Sequence, residues 1–106
     1  MTAEDSHSPT SVFFARRESL ARVLGIHSVD LLTDRAVIEI GAAFPVLRLL
    51  SIQNGELDTE SVDVAFASVS REEGAAALEA LNEVLVVILA RLLGRRVAER
   101  LAKSLA

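Results

Sequence analysis

The sequence predicts a mainly α protein, a compact bundle of about four or five helices with one short β-hairpin around residues 46–58. Three observations carry this. The chain of 106 residues is 51% hydrophobic yet holds four Phe and no Trp or Tyr, so its core must be built from Leu, Val, Ile and Ala, which suits closely packed helices. Residues 71–93 are rich in strong helix formers and contain no proline. Asn54-Gly55 is the clearest turn signal, a pair that tolerates positive φ in a two-residue hairpin loop.

In chain order, residues 1–9 read as a disordered polar tail, because Thr, Glu, Asp, Ser and His bury too little apolar surface to offset the entropy of ordering. Residues 10–106 then form one helical domain. Its first helix starts near Thr10 or Ser11. Phe13, Leu20 and Leu24, with Val23 alongside, recur at helical spacing, and Gly25 stops the run. Ser28 is the expected N-cap of a second helix, with Asp30 in its first turn to favour the dipole. Val29, Leu32, Ala36, Ile40 and Ala43 give that helix an apolar face, Phe44 adjoins it, and Pro45 ends it; Ala36 to Ile40 also reads as a strand.

Val46 to Ile52 and the segment ending at Asp58 are the two arms of the hairpin, although Glu56, Leu57, Asp58, Thr59 and Glu60 are poor strand material. Val62, Val64 and Phe66 alternate as in a strand. Asp58 as a cap, with Leu57 placed to pack on Val62, favours instead a helix from Thr59 to Val69. A long helix follows over residues 71–93. Gly94 ends or bends it, and a basic amphipathic helix over residues 95–105 places Val97, Leu101 and Leu105 on one face.

The charge is unevenly distributed. Arg91, Arg95, Arg96, Arg100 and Lys103 against Glu99 give residues 91–106 a net charge of +4, leaving −8 on the rest of a chain whose total is −4. A solvated basic face accounts for this, as does a contact for an acidic partner. The basic final helix also admits contact with an anionic membrane surface, though it lacks Trp or Phe for the interface. The longest apolar run is far below the roughly 20 residues of a transmembrane helix, so no spanning segment is expected. With no basic, apolar leader at the N-terminus, a cytoplasmic location is the default expectation.

Catalytic and metal chemistry find little support. The absence of Cys removes disulfides, thiolate nucleophiles and thiolate ligands. His7 and His27 stand in the tail and at a turn, without the spacing of a metal pair. The glycines at 25, 41, 55, 74 and 94 are isolated, so there is no phosphate-binding loop. Glu72 and Glu73 are explained by a helix start. No enzyme activity and no cofactor are expected.

The segment Leu20 to Ile26, followed by a second helix, resembles the Ala and turn-Gly spacing of helix-turn-helix repressors, which implies DNA binding through residues 20–40 and Arg16, Arg17 and Arg22. The leading edge of that second helix is acidic, with Asp30 and Asp34 against Arg35 alone, where a phosphate-rich groove requires neutral or basic groups. Nucleic acid is therefore the lesser expectation.

The most informative stretch is Val84-Leu85-Val86-Val87-Ile88-Leu89-Ala90, seven consecutive apolar residues that cover every face of a helix. A helix apolar all round must be surrounded, and a small chain has few elements to do it. The expectation is a non-enzymatic adaptor or regulatory subunit, of a signalling or polarity type, that forms a homodimer or docks another protein through its C-terminal helices. Leu85, Val86, Ile88, Leu89 and Leu92 would supply apolar contact, and Arg91, Arg95 and Arg96 orientation.

Overall fold

The computed structural model describes residues 8–105, including their side chains except those of residues 101, 102, 104 and 105. The tail expected over residues 1–9 thus falls, as far as residue 7, outside the described residues, as do the side chains of Leu101 and Leu105. Five helices and one two-stranded antiparallel sheet follow in order: α1 (Pro9–Leu24), α2 (Ile26–Ile40), a 3-10 turn (Pro45–Leu49), β1 (Ile52–Gln53), β2 (Glu56–Leu57), α3 (Thr59–Ala67), α4 (Arg71–Leu93) and α5 (Arg95–Leu105). The mainly helical architecture with a short hairpin is the one the sequence predicts.

Capping sets most boundaries. Ser8 accepts the Ser11 N–H at 3.2 Å, and Pro9, whose missing N–H costs nothing in a first turn, opens α1 slightly before the expected start. Gly25 adopts φ 86°, ψ 148°, a region essentially reserved for glycine. It turns the chain in one residue: its N–H donates back to the Ala21 carbonyl and its own carbonyl accepts the Val29 N–H, so α2 begins at Ile26. Ser28 is therefore not the N-cap expected from sequence but an exposed first-turn residue. Gly94 repeats the device between α4 and α5.

The hairpin is shorter than its expected span. Asn54 and Gly55 both have positive φ, and the strands pair Ile52 with Leu57 and Gln53 with Glu56. Residues 45–49 wind into the 3-10 turn rather than a strand. In that geometry side chains three apart share a side, so Leu47 and Leu50 enter the core together, as alternation along a strand would not allow. Asp58 caps α3 by accepting the Glu60 N–H at 3.1 Å, with Leu57 and Val62 both buried as the expected staple requires. The Ser61 hydroxyl donates to the Asp58 carbonyl and accepts the Ser51 N–H, fixing the hairpin base to α3.

One hydrophobic cluster holds these elements together. Phe13 and Leu20 of α1, Val29 and Ala36 of α2, and Leu81, Leu85 and Leu89 of α4 belong to it. The Phe13 ring lies 6.2 Å from that of Phe66, joining α1 to α3. α4 is the central element, with α1, α2, α5 and the 3-10 turn packed on it.

A buried ion pair joins three elements at the edge of this core. Asp30, 3% exposed, accepts from Arg17 Nε at 2.9 Å and Arg17 Nη2 at 3.0 Å, and also from the Leu57 N–H at 3.1 Å. It binds α1, α2 and the hairpin to one carboxylate.

Candidate functional site

The apolar run of α4 divides in two. Leu85, Ile88 and Leu89 are buried in the chain's own core. The apolar contact expected of these three at an interface is thus made within the chain, because α1, α2 and α5 together enclose that side of α4. Val86 is half-buried. Outward from α4 point Val87 and, toward its end, Arg91, Leu92 and Leu93, followed on α5 by exposed Arg95 and Arg96. Arg95 is held by Glu99 of its own helix at 3.7 Å, an exposed pair.

The face that remains open is shared between α4 and α2. Two adjoining depressions, of about 260 and 280 Å³, run along the seam of the two helices and meet at Glu39. In the first, Leu31, Leu32 and Arg35 face Ile88, Arg91 and Leu92; in the second, Glu39 and Ile40 face Glu83, Val84 and Val87. Rising numbers on α2 meet falling numbers on α4, so the helices are antiparallel. Exposed apolar side chains line the seam, with Leu31 57% and Leu92 66% exposed. Exposed apolar side chains gathered about a groove mark a candidate contact surface.

The α2 half of this surface escaped sequence reasoning. Its signal was Leu31, an apolar residue that stands off the Val29, Ala36 and Ile40 stripe of the same helix.

The other candidate chemistry is differently placed. Of the arginines that a DNA-binding reading would direct at phosphates, Arg17 is turned inward to Asp30 and Arg16 donates to Glu79 at 3.0 Å, while Arg22 is exposed. A cavity of about 20 Å³ lies among α1, α2 and α4 and is lined by Phe13, Leu20, Thr33, Leu81 and Asn82, among others. Arg16 Nη1 and Asn82 Oδ1, both buried, have no hydrogen-bond partner among the described residues. The volume suits a water molecule and is too small for an organic substrate. Among the described residues no three His, Cys, Asp or Glu side chains gather to hold a metal ion, and no helix is long and apolar enough to cross a membrane. No protein-family model matches the chain, and neither curated proteins nor solved structures gave a match, so the α2–α4 surface rests on its own geometry.

Proposed function

We propose that this chain is a non-enzymatic adaptor or regulatory subunit, cytoplasmic in location, that works through protein–protein association at the α2–α4 face. The observation that supports the reading is the set of exposed Leu31, Val87 and Leu92 along one seam, rimmed by charged side chains, which is the anatomy of an interface with an apolar centre and a polar rim. The basic residues at the α4–α5 corner, Arg91 and Arg96, extend the rim and would favour an approaching acidic surface.

A photoreactive amino acid in place of Val87 tests this in the cell that makes the protein. Cross-linked protein adducts are expected from Val87, and not from the same probe at Glu72, an exposed residue in the first turn of α4. Equal labelling at the two positions, or none at Val87, would remove the α2–α4 face from consideration.

A further inference from the structure

We infer that the occupant of the α2–α4 groove is a second copy of this chain, related by a two-fold axis that crosses the groove between position 37 of α2 and Val87 of α4. The inference rests on the association reading and names its partner. It follows from how charge is segregated along the groove. Arg35 and Arg91 line one depression and Glu83 the other, with Glu39 where the two meet. Charge thus runs from basic at one end of the groove to acidic at the other, and within the single chain the one near opposite pair is Arg35 with Glu39, exposed i,i+4 neighbours whose attraction is weak. Among the described residues none of these four has an ion-pair partner.

An antiparallel copy supplies the missing partners. Arg35 and Glu39 are one helical turn apart and centred on position 37; Glu83 and Arg91 stand one turn either side of Val87. Reversing α2 about its midpoint sets Arg35 opposite Glu39 of the second copy, and Glu39 opposite its Arg35. Reversing α4 about Val87 does the same for Glu83 and Arg91. One axis serves both reversals, because residues 39 and 40 lie level with residues 83–87 while residues 31–35 lie level with residues 88–92, which puts the two midpoints at one height. Val87, exposed and next to the axis, then meets its own counterpart, as an isologous interface requires. An anionic membrane or an acidic protein would be attracted to the basic end and repelled by the acidic one.

The test is a mixing experiment on the full chain, with molar mass read by light scattering. Arg91→Glu and Glu83→Arg each place like charges opposite one another twice in every dimer, and each alone weakens self-association on the order of 100-fold. Mixed in equal amounts, every facing pair of charges is again opposite in sign, and the two variants assemble with each other into a species of twice the single-chain mass. Both side chains are exposed, and assembly of the mixture shows that both variants are folded. Wild-type chain that keeps the single-chain mass across the concentration series, or a mixture no heavier than either variant alone, would overturn the inference. If a probe at Val87 nevertheless traps a different protein, the association reading stands and only the second copy is lost.

Discussion

Removal of the Asp30 carboxylate is the sharpest test of how the framework beneath the groove is held. Asp30→Ala deletes the acceptor of three hydrogen bonds, two from Arg17 and one from the Leu57 N–H. Arg17, whose side chain is 17% exposed, would keep its charge inside the protein with no anion beside it. Stranding one member of a buried pair costs about 3–5 kcal/mol. An unpaired backbone N–H adds about 1–3 kcal/mol. Arg17 stands near the surface and can recover part of its hydration by swinging outward, so the expected loss is about 4 kcal/mol, a large share of the 5–15 kcal/mol typical of a domain. Asp30→Asn keeps an acceptor for Leu57 and loses about 2 kcal/mol. Urea denaturation followed by circular dichroism measures each variant. The double variant Arg17→Met/Asp30→Leu, which removes both charges together, is expected to lie well above the sum of its single losses. A loss below about 1 kcal/mol for Asp30→Ala, or strict additivity in the double variant, would refute the claim that this pair ties α1, α2 and the hairpin together.

Three further outcomes follow from the packing. Leu89→Ala, at a fully enclosed site, should cost about 3–4 kcal/mol, whereas Val87→Ala two residues earlier should stay within about 0.5 kcal/mol; equal losses in denaturant titrations would contradict the division of α4 into a covered and an open side. Gly94→Ala meets nothing within 4 Å, so its cost of about 1–3 kcal/mol comes from the backbone alone. It should appear first as faster hydrogen exchange in α5, and unchanged exchange there would refute the account of this corner. Asn82→Leu removes the buried Oδ1 that lacks a partner among the described residues and fills the small cavity with apolar atoms; thermal melts should show a gain of about 1 kcal/mol, and a loss would show that the amide is held by a partner it needs.

Features governed by local chemistry were legible in the sequence. Gly25 and Gly94 mark helix ends because only glycine takes their backbone angles, Asn54-Gly55 marks its turn for a related reason, and the uninterrupted helix formers of residues 71–93 mark α4. The N-cap assigned to Ser28 went astray because Gly25 both ends one helix and starts the next, leaving no interval for a side-chain cap. Asp30, read as a first-turn residue serving the dipole, is drawn into the interior by Arg17, thirteen residues away, a pairing that no local rule contains. The groove shows the same limit. The Val84–Ala90 run announced that α4 must be covered, but which of its sides the chain covers depends on where α1, α2 and α5 pack. The share of the surface carried by Leu31, Arg35 and Glu39 appears only once α2 is laid antiparallel beside α4.

The molar mass of the wild-type chain in solution, measured by light scattering across a concentration series beside Val87→Glu, tests the central claim most directly. The wild-type mass is expected to rise to twice that of a single chain, with Val87→Glu remaining a folded single chain throughout. A wild-type mass that never departs from one chain, or a Val87→Glu variant that associates as well as wild type, would contradict it.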